Sequence, residues 1–153
     1  MNQRQDVVVR QATIFDLEVL VPLFDAYRVF YRKPGDLGLA REFLRDRFQH
    51  SESVILVALR PDGSAVGFTQ LYPSFSSVSM ARIFVLNDLY VSAEARRMGV
   101  GAMLLGAAAR FGRETGAVRL TLSTEVTNVT AQALYEGQGW VRQEEFVLYN
   151  LTL

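Results

Sequence analysis

The chain has 153 residues, half of them apolar and 21% charged, and its sixteen basic and sixteen acidic side chains cancel to a formal net charge of zero. That length suits one domain with a core large enough to need no staple, and zero net charge argues against a broad basic field for nucleic acid. With no cysteine, disulfides, thiolate-ligated zinc and a cysteinyl covalent intermediate are all excluded, in keeping with a reducing, cytoplasmic setting.

The first residues, MNQRQDVVVRQAT, lack the apolar core of a signal peptide. No run approaches the roughly 20 apolar residues of a membrane span, so no membrane partner is expected. Val7, Val8 and Val9 read as a short strand. Thr13, with Asp16 three positions on, reads as a helix N-cap. Leu17, Leu20, Val21, Phe24, Tyr27 and Tyr31 recur at helical spacing, which predicts a helix over 14–31 that Pro22 should kink or split. RKPGDLG breaks the pattern, and Leu39, Phe43, Leu44 and Phe48 predict a second amphipathic helix. SVILVALR reads as a buried strand and PDGS as a turn, predicting a hairpin over Val54–Tyr72. RIFVLNDLYV is a third strand.

Beyond it, Val100, Met103, Leu104, Ala107, Ala108 and Phe111 form a helical stripe that stops near Gly116. AVRLTLST reads as a strand, Thr127 as the cap of a helix through Tyr135, and WVRQEEFVLYNLTL as one or two closing strands. The order β α α β β β α β α β predicts a mixed α+β sheet with helices on its faces, in a single domain over 1–153.

The junction NDLYVSAEARRMGVGAML has the composition of a phosphate-binding loop. Gly101-Ala102-Met103 lacks the lysine and hydroxyl of a Walker A loop, and Leu104 stands where a dinucleotide fingerprint needs its third glycine. What remains is general. Glycines let the backbone approach an anion, first-turn N–H groups point at it, and Arg96 and Arg97 add charge, unless they are only two solvated arginines.

Arg96-Arg97-Met98-Gly99-Val100-Gly101 resembles the Gln/Arg-x-x-Gly-x-Gly/Ala motif of the GNAT superfamily of N-acetyltransferases. The segment from Asn128 to Trp140, NVTAQALYEGQGW, resembles that family's later motif, Asn-x-x-Ala-x-x-x-Tyr-x-x-x-Gly-Phe, with tryptophan in the last place. The resemblance implies the GNAT fold, a mostly antiparallel sheet of six to seven strands splayed in the middle and flanked by about four helices. It implies acetyl-CoA as acetyl donor and no metal. Arg96, Arg97, Met98, Gly99, Val100, Gly101 and Ala102 would surround the pyrophosphate, and Leu89, Tyr90 and Val91 would meet the pantetheine arm through their backbone. Asn128 and Ala131 would contact the cofactor, and Tyr135 would be the general acid beside the sulfur. FVLNDLYV and DAYRVFY look closest to the diamine, polyamine and histone acetyltransferase branch, which often has Glu-Asp where this chain has Asn87-Asp88.

An alkyl amine has a pKa near about 10.4, so only about one molecule in a thousand is nucleophilic at neutral pH. An amide cannot take that proton, which leaves Asn87 unsuited as a base. A water relay through Asn87, Asp88, Glu125 or Tyr31 is expected first and Asp88 itself second. Strand alternation places Asn87 and Asp88 on opposite faces, with at most one facing the acceptor. Tyr27 and Arg28 lie where diamine-type relatives contact substrate, Tyr31 is a further acceptor candidate that like Tyr27 also fits the apolar stripe of the first helix, and Tyr72, Phe75 and Ser76 end the neighbouring hairpin. Arg28 would suit an acceptor bearing a carboxylate. His50 reads as exposed and without a metal. The expected function is acetyl-CoA-dependent acetylation of a small-molecule primary amine or lysine side chain by direct attack in a ternary complex. Alternatives are a catalytically silent acyl-CoA-binding domain, kept open by Asn87, and a protein or histone acetyltransferase. The resemblance also implies a homodimer, in which the apolar FVLYNLTL tail could pair across the interface, though as a terminal strand it could equally complete the chain's own sheet.

Overall fold

The protein is described from a computed structural model over residues 6–153; the first five residues of the segment read as free of a signal core lie outside the described residues. The chain divides into two compact units, one ending at Ser123 and the other running Thr124–Leu153.

The first unit is built on one sheet with strands in sequence order: β1 (Val8–Gln11), β2 (Val54–Leu59), β3 (Ala65–Ser76), β4 (Ala81–Val91) and β5 (Leu120–Thr121). β1 to β4 are antiparallel neighbours, and β5 joins β4 in parallel. Three helices accompany it: α1 (Leu17–Phe30), α2 (Leu37–Gln49) and α3 (Val100–Glu114). Leu20, Val21 and Phe24 of α1 and Ala40 and Leu44 of α2 form one buried cluster with Ile55, Val57 and Phe68 of the sheet. Each large aliphatic side chain buried this way contributes about 1.5–3 kcal/mol. The opposite face receives α3 at Gly67, where a Cβ would stand 2.9 Å from the Tyr90 carbonyl oxygen and 3.2 Å from Leu104 Cδ1.

Local chemistry sets the boundaries. Thr13 Oγ1 accepts from the Phe15 N–H at 3.3 Å while Asp16 Oδ2 accepts from the Thr13 N–H at 2.8 Å, the reciprocal pair of a capping box. The first turn, Ile14–Asp16, is a 3-10 turn before α1 proper. Pro22 does not split the helix: α1 runs unbroken. The carbonyl its missing N–H leaves free belongs to exposed Glu18, where water can satisfy it. Asp36 caps α2 by accepting from the Leu39 N–H at 3.0 Å. The hairpin extends past Tyr72 to Ser76, and β2 begins with Val54 opposite Leu71, so Pro73 lies where β3 has no β2 beside it.

Among the described residues the sheet has five strands rather than six or seven. β5 is only two residues long, and residues 141–153 run exposed without a strand. An apolar stretch becomes a strand only where a neighbour completes its hydrogen bonds, and the tail pairs with no strand among the described residues. β4 is met by β5 only at Phe84 and Val85, so Leu86–Val91 has no strand on that side among the described residues, in keeping with the expected splay.

The second unit carries α4 (Val129–Gly137). Its cap is Asn128 rather than Thr127: Asn128 Oδ1 accepts from the Ala131 N–H at 3.2 Å. Asn128 is the better placed of two capping residues, since the amide oxygen reaches the third helical N–H.

Candidate active site

β3 and β4 pair Gln70 with Asp88 and Leu71 with Leu86, so Asn87 is the extra residue of a β-bulge. The bulge turns Asp88 onto the face shared by Gln70, Phe68 and Tyr72, which α1 and α2 cover. It also overturns the expectation that Asn87 and Asp88 face apart. Both line one cavity of about 520 Å³, together with Tyr27 and Arg28 of α1, Glu42, Phe43 and Asp46 of α2, and Tyr72 of β3.

Asp88 is 2% exposed. Its carboxylate accepts from Gln70 Nε2 on Oδ2 and from Asn87 Nδ2 on Oδ1 at 2.8 Å, and its backbone carbonyl accepts from Thr69 Oγ1 at 2.8 Å. The Tyr27 hydroxyl donates to the Asn87 carbonyl oxygen at 3.4 Å and lies close enough to the carboxylate to favour its charged form. Burial pushes the Asp88 carboxyl above the usual carboxylate range, and the hydrogen bonds from Gln70, Asn87 and Tyr27 oppose that rise only in part. Burial, followed by the charge of Asp88, drives the Tyr27 hydroxyl far above the usual phenol range and pushes Tyr72 up to about 12. Both phenols therefore stay neutral at working pH, and Asp88 is the cavity group raised from an acidic range toward a proton-accepting one.

Not every expected acceptor residue is there. Tyr31 packs its ring 5.0 Å from Tyr27 and 5.3 Å from Phe30 and does not line the cavity. Phe75 is 68% exposed under the Arg82 guanidinium, and Ser76 Oγ accepts from the Ser79 N–H at 3.2 Å. Arg28 Nη1 donates to the Pro34 carbonyl at 3.3 Å, so part of its charge serves the α1–α2 connection. His50 is exposed, its Nδ1 2.9 Å from the Asp46 carbonyl oxygen, and no group of three or more potential metal ligands exists among the described residues. Gln70, Thr69 and Ser53, which donates to Gln70 Oε1 at 2.8 Å, escaped the sequence reading. The signal was there: a Thr-Gln pair inside the apolar run of β3.

From β4 the chain passes through a 3-10 turn, Ala93–Ala95, then Arg97 at φ 62° and Gly99 at φ 81°. Gly99 caps α3 with no side-chain hydrogen bond, so no capping side chain satisfies the first-turn N–H groups, including those of Val100, Gly101 and Ala102. An added Cβ at Gly99 would meet nothing within 4 Å, so the loop is open above. Arg96 Nε donates to the Val91 carbonyl at 3.0 Å, and its guanidinium lies 5.7 Å from the Phe30 ring centre and 5.6 Å from that of Tyr90. Arg96 thus braces the end of β4 and takes one of the three backbone positions expected to meet pantetheine. The Val100 side chain is 2% exposed and belongs to the core, and Met98 is half-buried. In the second unit the Tyr135 ring packs 6.2 Å from Trp140, and Asn128 caps α4 through Ala131.

Residues 20–140 match the family model described as acetyltransferase (GNAT) family. The chain belongs to the GNAT acetyltransferases. Among its relatives is an uncharacterised N-acetyltransferase, YhfO, of Bacillus subtilis strain 168, which is 48% identical over 95% of this chain and 97% of that protein. A crystal structure of a probable acetyltransferase superposes with a TM-score of 0.90 at 45% identity, covering 95% of this chain and 97% of that one. An aminoglycoside N(6')-acetyltransferase type 1 of Klebsiella aerogenes is 32% identical over 65% of this chain and 66% of that protein. As a GNAT enzyme the protein is an N-acetyltransferase of a family that uses acetyl-CoA. The uncapped α3 terminus suits the pyrophosphate of that molecule: backbone donors, a favourable helix dipole and no capping side chain in competition.

Proposed function

We propose that the protein acetylates a primary amine of a small cationic molecule in a ternary complex with acetyl-CoA, with Asp88 accepting the amine's proton. The observation that carries this reading is a carboxylate buried to 2% exposure on the wall of an aromatic cavity. When bound, acetyl-CoA supplies the acetyl group as a thioester, whose carbonyl carbon gains the amine nitrogen as its bond to sulfur breaks. Asp88 takes the proton that the nitrogen must lose, either directly or through one water. Tyr135 is proposed as the source of the proton returned to sulfur. The α3 N–H groups with Arg96 and Arg97 would hold the pyrophosphate, the backbone of Leu89 and Tyr90 the pantetheine, and Asn128 and Ala131 the remaining arm.

Glu42 and Asp46 lie one helical turn apart on the cavity wall and make no side-chain hydrogen bond or ion pair among the described residues. With Asp88 they set three carboxylates against Arg28, which already bonds to Pro34. This balance favours an acceptor with more than one ammonium group over one bearing a carboxylate. The likeness to a relative named for aminoglycosides points the same way. A proton acceptor next to Asn87 speaks against a silent acyl-CoA-binding domain, because the missing glutamate leaves the cavity with a base.

The family match spans both compact units, which supports a single catalytic domain. We take it to act in the cytoplasm as a homodimer; no described helix is long and apolar enough to cross a membrane. CoA release measured over polyamines, aminoglycosides, amino acids and lysine peptides tests the reading. Turnover of polycations that Asp88→Asn lowers about 10²–10⁴-fold supports it, and CoA release undiminished in that variant, or none with any amine, overturns it.

A further inference from the structure

Gln70 is fully buried in the apolar middle of β3, between Phe68 and Tyr72 on the same face of the strand. A buried amide is costly unless every polar atom finds a partner, and here both ends do. Oε1 accepts from Ser53 Oγ at 2.8 Å, and Nε2 donates to Asp88 Oδ2. The directions are not interchangeable. An ionised carboxylate only accepts, so Nε2 must face it; Oε1 then faces Ser53, whose hydroxyl must donate. A proton on Oδ2 would set two donors against each other. The other oxygen, Oδ1, accepts the Asn87 N–H and has a second lone pair, which the Tyr27 hydroxyl leaves free when it turns to the Asn87 carbonyl oxygen 3.4 Å away.

We propose that Gln70 is a positioning residue of the transfer, its amide oriented by the Ser53 hydroxyl so that it holds Oδ2 of Asp88 and leaves Oδ1 to take the amine proton. In that step the N–H bond of the acceptor breaks, an O–H bond forms at Oδ1 and the carboxylate becomes neutral. The inference rests on the reading of Asp88 as the proton acceptor. The other titratable and charged groups on the cavity are Tyr27 and Arg28 from α1, Glu42 and Asp46 from α2, and Tyr72 from β3. Replacing Gln70 or Ser53 removes none of these groups; Tyr27 and Tyr72, which feel the Asp88 charge, would respond only through it.

The test is the pH dependence of kcat with one polycationic amine at saturation, for the native enzyme, Gln70→Met, Ser53→Ala and Asp88→Asn. Without the amide donor the buried carboxylate should ionise at higher pH, so the acid limb moves up by about one pH unit or more in Gln70→Met and by less in Ser53→Ala. The KM for acetyl-CoA should stay within about twofold in both, because neither residue touches the α3 loop. A uniform loss of activity with the limb unmoved is what a merely structural Gln70 gives, and it overturns the inference. If Gln70→Met does not fold, the limb of Ser53→Ala decides on the same terms. A limb that vanishes in Asp88→Asn but stays fixed in the other two variants sinks only the role of Gln70. A limb that persists unchanged in Asp88→Asn sinks the reading of Asp88 itself.

Discussion

Burying Asp88 strips its carboxylate of water, and donors from Gln70, Asn87 and Tyr27 restore only part of that solvation, so its carboxyl stays above the ordinary value of 3.8. The folded protein therefore binds this proton more tightly than the unfolded chain does. The stability so gained is fully present below about pH 3.8 and is lost as pH rises through the higher folded value. Thermal unfolding of the native protein across that window should show this decline, and Asp88→Asn should lack that component. Tyr135→Phe should lower kcat by about 10²-fold or more with acetyl-CoA affinity kept, as removal of a proton donor predicts; equal kcat values would remove Tyr135 from the chemistry. Replacing both Glu42 and Asp46 by their amides should cut kcat/KM for a polycationic acceptor by up to about tenfold, the scale of exposed charge pairs, and leave a monoamine unaffected. At this scale resemblance pointed to Tyr27, Arg28 and Asp88 and the hairpin's end to Tyr72, all of which line the cavity, while Tyr31 does not. It did not show Gln70 and Ser53, which lie 17 residues apart and meet only because β2 and β3 are paired.

Two elements do most to build the site, the bulged strand β4 and the loop that leads into α3. The bulge places a charged side chain in a position that regular alternation would have given to the other face, and no local pattern announces it. The loop is the opposite case. Its glycines, arginines and following helical stripe were legible, because the backbone conformations they permit are local. Gly99 stands at φ 81°, where a side chain is strained whatever the space around it. Gly99→Ala should cost about 1 kcal/mol of stability and weaken acetyl-CoA binding, both measurable by thermal shift and calorimetry. Gly67→Ala tests the packing of α3 on the sheet: its Cβ would press on the Tyr90 carbonyl, and a loss of about 1–3 kcal/mol is expected from overpacking. The second helix taught a different lesson. Leu39 and Phe43 fit an amphipathic stripe, yet they are 59% and 37% exposed, because part of that apolar face walls the cavity instead of entering the core.

For the whole molecule, the tail is where apolar surface is left without a partner among the described residues. Phe146, Leu148 and Leu151 are 79%, 79% and 85% exposed in a segment without regular secondary structure and with no strand partner among the described residues. If this segment pairs across a homodimer, as proposed, a chain ending at Trp140 should sediment as a monomer where the full chain sediments as a dimer. A full chain that is monomeric at micromolar concentration would refute the dimer. Composition, caps and apolar periodicity determined the order of helices and strands as far as α4, the absence of cysteine chemistry and the anion loop, since each depends on neighbours a few residues away, whereas the closing strands expected after Trp140 did not form. The two motifs together determined the family. Only the tertiary structure decided which face Asp88 occupies, which residues hold it, and that Phe75 and Ser76 stand apart from the cavity. Those outcomes depend on strand register and a single bulged residue, and register is set by pairing between segments far apart in the chain.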